Sequence, residues 1–233
     1  MTPLTDNGIR EVIVIGSGPT GYTAALYTAR AQLKPLLFGS SIFVGGSLTT
    51  TTEVENFPGF PDGVDGPVLM ENMRAQAEKF GAEMVDDDIV ETDLTGDIKL
   101  LTDSVGTVHR ARTVIIATKI KESGGELAGV VLRDVFTGAT RDLDVTGLFI
   151  AIGHDPRTEL FTGQLDLDSE GYIKFAAPST RTSLPGVFAA GDVVDHTYRQ
   201  AITAAGTGAA AALDAECHLA ARKAAELEAV AAI

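Results

Sequence analysis

Residues 11–21 read Glu11-Val-Ile-Val-Ile-Gly-Ser-Gly-Pro-Thr-Gly21, a short apolar run that ends directly in a glycine-rich turn. The run is rich in β-branched residues and too short for a helix, so it predicts a strand buried in a parallel sheet. An alanine-rich helical stretch (22–31) and a second apolar run (35–38) follow it. Together these segments predict one compact βαβ unit.

The turn has the pattern Gly16-x-Gly18-x-x-Gly21, which in this context is typical of a dinucleotide-binding unit. Gly16 would allow the tight turn, Gly18 would let the backbone approach a diphosphate, and Gly21 would let the helix pack against the strand. The free amides and the helix dipole would then hold the diphosphate. The alternative is an ordinary glycine-rich turn.

One expected partner of this turn is missing from the sequence. Such units usually end the second strand with a carboxylate that binds the adenosine ribose. Here that place reads Phe38-Gly39-Ser40-Ser41 and holds no acid, although serine hydroxyls are available as substitutes. The turn alone therefore does not distinguish FAD from NAD.

The remaining patterns predict an α/β protein with a central parallel sheet. The segment 39–66 predicts a long surface loop, and a loop of this length is usually functional. The further predicted elements are a helix at 67–80, a small antiparallel meander within 83–109, buried strands at 113–117, 148–152 and 186–190, a hairpin at 127–134 and 140–145, and a helix from about 198. This order favours a three-layer Rossmann-like fold.

The composition excludes several classes of protein. An apolar content of 45% in 233 residues is too high for a disordered chain, and no run of 18 apolar residues predicts a membrane span. The net charge of −14 disfavours nucleic acids and anionic membranes as partners. A single cysteine, Cys217, excludes an intramolecular disulfide. With no recognisable leader, we expect a cytoplasmic protein.

Other candidate sites are weaker. His109, His154, His196 and His218 show no metal-ligand spacing, so we predict no metal site. The run 86–88 is all aspartate and predicts a solvated turn. The pattern Gly206-x-Gly208-x-x-Ala211 follows no strand and is expected inside the last helix. Cys217 is expected on the same helix, as a partly packed thiol with no catalytic role.

Three longer motifs resemble the low-molecular-weight thioredoxin reductases. They are Gly45-Gly-Ser-Leu-Thr-Thr-Thr-Thr-Glu-Val-Glu-Asn-Phe-Pro-Gly59, Thr182-Ser-Leu-Pro-Gly-Val-Phe-Ala-Ala-Gly-Asp192 and Tyr198-Arg-Gln-Ala-Ile-Thr-Ala-Ala-Gly206. The resemblance extends from about residue 10 to 221. It implies an FAD-binding Rossmann-like domain, FAD as the cofactor, and a homodimer.

The resemblance also implies which residues contact FAD. The predicted contacts are Gly16, Ser17, Gly18, Pro19, Thr20 and Gly21 at the diphosphate; Gly46, Ser47, Leu48 and Asn56 near the flavin; Ile89 at the adenine; Ala117 and Thr118 beneath the cofactor; Gly191 and Asp192 at the ribitol; and Arg199, Gln200 and Ala201 at the pyrimidine edge. Gly46-Ser47 replaces the Gly-Gln that is usual in the family. No residue is predicted to be catalytic.

Two features of the resembled family are missing from the sequence. They are a second, NADPH-binding domain with its own glycine turn, and a redox-active Cys-x-x-Cys. We predict one FAD-binding domain, 1–233, whose halves (about 10–118 and 127–221) are joined by a linker at 119–126, with an extension at 222–233. Both engineering and natural loss would explain this pattern.

The predicted function is therefore an FAD-binding flavoprotein module with slow flavin-mediated electron transfer to oxygen or artificial acceptors. Neither thioredoxin binding nor thioredoxin reduction is expected. Two alternatives stay open: a flavin-binding or reporter module without turnover, and a nicotinamide-dependent Rossmann dehydrogenase. A helix that begins near residue 199 would point its positive end at the flavin N1/C2=O edge, where negative charge collects on reduction.

Overall fold

A computed structural model describes residues 8–40, 44–118, 130–133, 137–143 and 156–231. The chain divides into a larger compact unit, 1–120 with 156–233, and a smaller one, 121–155. In the smaller unit, strands β9 (Val130–Arg133) and β10 (Thr140–Leu143) pair antiparallel, as the hairpin pattern predicts. The predicted strand at 148–152 lies outside the described residues. The predicted single FAD domain, with its boundaries, stays a prediction.

The larger unit begins with the predicted βαβ unit. Strand β1 (Ile9–Ile15) leads through the glycine turn into helix α1 (Pro19–Arg30), and strand β2 (Leu36–Gly39) returns parallel to β1. Two short strands, β3 (Glu53–Val54) and β4 (Val64–Asp65), pair within the predicted long loop. Helix α2 (Gly66–Lys79) follows and ends before Gly81, as predicted.

The central sheet contains the remaining strands of this unit. They are β5 (Glu83–Asp86), β6 (Ile89–Asp93), β7 (Lys99–Asp103), β8 (Val108–Ile116) and β11 (Val187–Ala189), and the sheet order is β5-β2-β1-β8-β7-β6 with β11 also on β8. Strand β8 pairs with β1 along one edge, so β7 and β11 share its other edge. The mixed α/β fold with a parallel-rich sheet is confirmed.

Strand β5 departs from the predicted antiparallel meander. It pairs parallel with β2, whereas β6, β7 and β8 form the antiparallel part. The reason is the helix α2 between β2 and β5, because a helical crossover returns the chain parallel to the strand it left. The carboxyl end of β5 therefore lies at the same sheet edge as those of β1 and β2.

The sheet separates two apolar cores. Val12, Val14 and Ile115 pack with the helices on one face, and Ile13 and Ile116 pack on the other face with Leu94, Leu101 and Phe161. This alternation follows from the twofold period of side chains along a strand. Both faces are covered, as expected for a parallel sheet.

Helix α3 (Ala201–Ala231) packs against α1. It begins three residues later than the predicted start near 198, because Arg199 adopts a positive φ of 49° that cannot continue a helix. The Gly206-x-Gly208-x-x-Ala211 pattern lies inside α3, as predicted. Among the described residues, no helix is long and apolar enough to cross a membrane.

Two glycines of α3 form a matched pair for testing the helix contact. A Cβ on Gly208 would overlap the Thr20 carbonyl oxygen of α1, whereas a Cβ on exposed Gly206 would meet nothing within 4 Å. We expect Gly208→Ala to lower the free energy of unfolding by about 1–3 kcal/mol. We expect Gly206→Ala to raise it by up to about 1 kcal/mol. Urea unfolding of both variants measures the difference, and equal stability would contradict the close α1–α3 contact.

Candidate functional site

A cavity of about 310 Å³ opens at the carboxyl edge of the parallel strands. Gly16 follows β1, Ser40 follows β2, Asp87 follows β5, Thr118 follows β8 and Asp192 follows β11, and all five line the cavity. Ligands of open α/β sheets bind at this edge, because loops from several strands meet there. The cavity is therefore the candidate functional site.

The glycine turn forms the floor of the cavity. Gly16 has a φ of +116°, and a Cβ there would overlap the carbonyl oxygen of Ala117. A Cβ on Gly21 would overlap the carbonyl oxygen of Gly16, so α1 can approach β1 only because position 21 is a glycine. The tight turn and the close helix–strand contact are thus as the motif predicts.

Gly18 differs from the other two glycines of the turn. A Cβ there would meet no protein atom within 4 Å, yet Gly18 lines the cavity. It is also the N-cap of α1, whose first-turn amides have no partners within the helix. This helix end is therefore a backbone surface suited to an anion.

The predicted flavin loop packs over the turn. The Gly45 amide donates to Oγ of buried Ser17 at 3.1 Å. A Cβ on Gly46 would lie 3.2 Å from Cα of Gly18, and both Gly45 and Gly46 have positive φ values. Residues 46–50 form a 3-10 helix, so this part of the predicted loop is ordered. The loop and the turn together make one wall of the cavity.

The opposite wall is the approach to α3. The carboxylate of Asp195 accepts the amides of Thr197, Tyr198 and Arg199, each at 2.8 Å. Burial raises the pKa of Asp195, but these three amides outweigh it and hold that pKa below its ordinary value. This ring of bonds stabilises the positive φ of Arg199.

The Arg199 side chain is positioned by further contacts. Its Nη2 donates to the Tyr172 hydroxyl at 3.0 Å, and its Nε donates to the Asp195 carbonyl at 3.2 Å. Beside it, Nδ2 of Asn56 donates to Oε1 of Gln200 at 3.0 Å. The bond between Asn56 and Gln200 joins the flavin loop to the α3 junction.

The structure brings most of the predicted contact residues to this cavity. The fifteen that line it are Gly16, Ser17, Gly18, Pro19, Thr20, Gly46, Ser47, Leu48, Ile89, Ala117, Thr118, Asp192, Arg199, Gln200 and Ala201. Gly21 lies under the turn, Gly191 packs against Thr20, and Asn56 reaches the cavity wall only through Gln200. Their contacts with a cofactor stay predictions.

Several lining residues were not predicted. They are Asp87, Asp88, Arg157, Glu159, Leu160 and Phe161, together with the strand-end residues Ile15, Phe38 and Gly39, the adjoining Ser40, and the helical Ala204. The aspartates follow β5, and the interpretation of that segment as a solvated turn in a meander concealed them. A helical crossover before β5 was the available signal, because it places the strand end at the ligand edge. Residues 157–161 gave no comparable signal.

The run of aspartates is therefore only partly solvated. Asp86 is exposed and its two carboxylate oxygens accept from Nη1 of Arg74 at 2.8 and 3.1 Å. Asp87 and Asp88 are half-buried and line the cavity. The predicted turn is present, since Asp87 and Asp88 lie between β5 and β6, but these two residues are only partly exposed.

Histidines and acids form pairs elsewhere in the molecule. Nε2 of His109 lies 2.9 Å from Oδ2 of Asp103, and Nε2 of His196 lies 2.8 Å from Oδ2 of Asp168. In the part of the chain that the structure describes, no group of three or more such side chains could hold a metal ion. His154 lies outside that part. Cys217 lies on α3, as predicted, and is exposed.

The lining of the cavity offers three kinds of surface that would suit the parts of a dinucleotide. It combines an open backbone surface at Gly18, carboxylates beside the ends of β2 and β5, and a polar wall before α3. A diphosphate would suit the backbone surface at Gly18, and ribose hydroxyls would suit the carboxylates. A heteroaromatic ring with amide-like edges would suit the polar wall before α3.

Comparison with known proteins identifies the family. The family model "Pyridine nucleotide-disulphide oxidoreductase" matches residues 10–129 and 113–208. The chain is 49% identical to a thioredoxin reductase of Streptomyces clavuligerus, over 91% of this chain and 95% of that protein. It is 40% identical to a thioredoxin reductase of Mycolicibacterium smegmatis, over 93% and 98%. The chain belongs to the pyridine nucleotide-disulphide oxidoreductases.

A solved structure in the same family agrees with the fold. The thioredoxin reductase from Giardia duodenalis superposes with a TM-score of 0.77 at 29% identity, covering 90% of this chain and 98% of that one. The resemblance to thioredoxin reductases is thus confirmed, and membership of this oxidoreductase family implies FAD as the cofactor.

The alignment with the Streptomyces clavuligerus protein is longer than the aligned part of this chain. It spans 305 positions, whereas 91% of 233 residues is about 212 residues. The difference between 305 and 212 is about 93. About 93 residues within the aligned part of the relative therefore have no counterpart in this chain.

Gly18 provides a direct test of the cavity. We expect Gly18→Val to fold normally but to weaken FAD binding by about two orders of magnitude, because the side chain would occupy the diphosphate position and remove several charge-assisted contacts. Fluorescence titration of the apoprotein with FAD measures the change. The control is Gly206→Val, the same change at an open helical position outside the cavity. Unchanged FAD affinity in Gly18→Val would contradict the assignment of this turn.

Proposed function

We propose that this chain is an FAD-binding flavoprotein module without thioredoxin-disulfide reductase activity. In this proposal, electrons pass slowly from small non-specific donors through the flavin to oxygen, quinones or dyes. The observation that carries the proposal is the cavity at the sheet edge, which is lined by fifteen of the residues that the family resemblance implies.

The comparisons support the loss of an internal NADPH domain. About 93 aligned positions are missing, and the family model matches in two blocks that overlap at residues 113–129. That overlap coincides with the segment where the resemblance places the missing domain. The sequence also holds a single cysteine, Cys217, so it contains no Cys-x-x-Cys to pass electrons to thioredoxin.

The residues of the chain would hold FAD along the cavity. The turn amides around Gly18 would bind the diphosphate, and Asp192 would accept a hydrogen bond from the ribitol. The first turn of α3, beginning at Ala201, would face the pyrimidine edge and favour negative charge there. The bound flavin would supply the redox chemistry, and the protein would supply orientation and electrostatics.

Two other functions make different predictions. A flavin-binding or reporter module would bind FAD but show no designed turnover with any donor. A nicotinamide-dependent dehydrogenase would bind NAD or NADP in the same cavity and would not be yellow. The absorbance spectrum of the purified protein, and chromatography of the cofactor released on denaturation, distinguish the dehydrogenase from the other two.

The proposal predicts how the flavin reacts with reductants. We expect dithionite to bleach the FAD-loaded protein and air to restore its colour. We expect NADPH to reduce it very slowly and without saturation, because no domain holds the nicotinamide near the flavin. Such positioning is worth about 7–11 kcal/mol of activation barrier. Stopped-flow absorbance measures both reactions on one sample, with dithionite as the positive control.

Three outcomes would count against the proposal. Fast, saturable bleaching by NADPH would reveal a nicotinamide site and would indicate that this chain is an NADPH-dependent reductase. A released cofactor that runs as FMN would contradict the diphosphate site at the glycine turn. A flavin that dithionite reduces but that passes electrons to none of the acceptors would favour the reporter module.

The homodimer stays a prediction of the family resemblance. We expect light scattering at physiological salt to give about twice the 24.3 kDa mass of one chain. The charge of −14 opposes association, but physiological salt largely screens the repulsion between exposed charges more than about 8 Å apart. A monomeric mass at high protein concentration would contradict the prediction. The cytoplasmic location likewise stays a prediction.

A further inference from the structure

This protein has no room for a side chain at the position where the ribose-binding carboxylate usually stands. Strand β2 ends at Gly39, where many dinucleotide-binding units carry an acid. A Cβ at this position would lie 2.8 Å from both Cβ and Oγ of Ser17. Because the Ser17 hydroxyl also accepts the Gly45 amide, a side chain at position 39 would disturb the phosphate turn and the flavin loop together.

Strand β5 brings another carboxylate to the same place. Gly39 is the register partner of Asp86 in the parallel β2–β5 ladder, so the next residues, Ser40 and Asp87, leave the sheet next to each other. Both line the cavity. Asp86 itself is engaged by Arg74, and Asp87 is the first residue of β5's carboxyl end that reaches the cavity.

The Asp87 carboxylate is held in one orientation. Its Oδ1 accepts a hydrogen bond from the Ser104 hydroxyl and another from the Asp88 amide, the second at 2.8 Å. Both donors reach the same oxygen, so a ligand would bind through Oδ2. A carboxylate that is already oriented loses little entropy when it binds a hydroxyl.

We propose that Asp87 binds the ribose hydroxyls of the adenosine half of the cofactor. It takes the role that a carboxylate at the end of β2 has in other dinucleotide-binding units. This inference rests on the proposed FAD-binding function. It predicts that the contribution of Asp87 to affinity is confined to ligands that carry the adenosine ribose, so FMN gains nothing from it.

The first test measures FAD affinity by fluorescence titration of the apoprotein. Asp87→Asn keeps the shape of the side chain and an acceptor for Ser104 and the Asp88 amide, but it removes the charge. We expect it to weaken FAD binding about tenfold or more, as for loss of hydrogen bonds to a charged group. Asp97→Asn is the matched control, because it removes the same charge from an exposed carboxylate that does not line the cavity, with an expected change below about threefold. FMN affinity should be the same in all three proteins.

The second test compares ADP with 2′,3′-dideoxy-ADP as competitors of FAD. The wild-type protein should prefer ADP by about tenfold, and Asp87→Asn should lose this preference, because its effect acts through the ribose hydroxyls. A general structural defect would weaken both competitors equally and leave the preference intact.

The outcomes separate this inference from the proposed function. If the wild-type protein binds no FAD, the proposed function fails before any variant is compared. If it binds FAD, then unchanged affinity in Asp87→Asn, an equal or larger loss in Asp97→Asn, or a persistent preference for ADP in Asp87→Asn would each overturn the role of Asp87.

Discussion

Close contact between backbone segments is the constraint on which this structure depends. At Gly16, Gly21 and Gly208 a Cβ would overlap a carbonyl oxygen of Ala117, Gly16 and Thr20, respectively. These contacts join β1 to the end of β8, α1 to β1, and α3 to α1. The floor of the cavity is thus built from main chain, and its shape is set by the absence of three methyl groups. Gly18 carries no side chain, so a ligand that approaches there meets the first-turn amides of α1.

This construction explains how an acidic protein can bind an anionic cofactor. The net charge of −14 would repel a diphosphate if binding depended on the average surface. Amides at a helix N-terminus act locally and need no cationic side chain. Asp87 and Asp192 also line the cavity, where carboxylates suit hydroxyl groups and not phosphate oxygens. The cavity therefore offers uncharged backbone amide donors at the glycine turn and carboxylate acceptors away from that turn.

The sequence predicted those parts of the fold that depend on local pattern. The glycine spacing after a β-branched run identified the turn, and the motif around Asp192 placed the end of β11, because in both places few backbone conformations are allowed. The pairing of β5 was missed, because a four-residue strand alone does not show its direction and the helix before it was not taken as a crossover. That error concealed Asp87 and Asp88. The start of α3 was also misplaced, because the positive φ of Arg199 is stabilised by the nearby Asp195 carboxylate and not by propensity.

The strands of the larger unit themselves bring together the flanks of the point where we propose that a domain has been lost. Residues 114–116 of β8 pair with 187–189 of β11, and Thr118 donates its hydroxyl hydrogen to the Arg157 carbonyl. The segment between these flanks only has to close a loop. If the 93 or so absent residues belong there, as proposed, their removal shortens a loop of about 128 residues to 35. That is less than two doublings of length, or about 1 kcal/mol of closure entropy. Because the sheet is little affected by such a change, the loss of this domain would remove a reaction partner of the flavin while leaving its binding site intact.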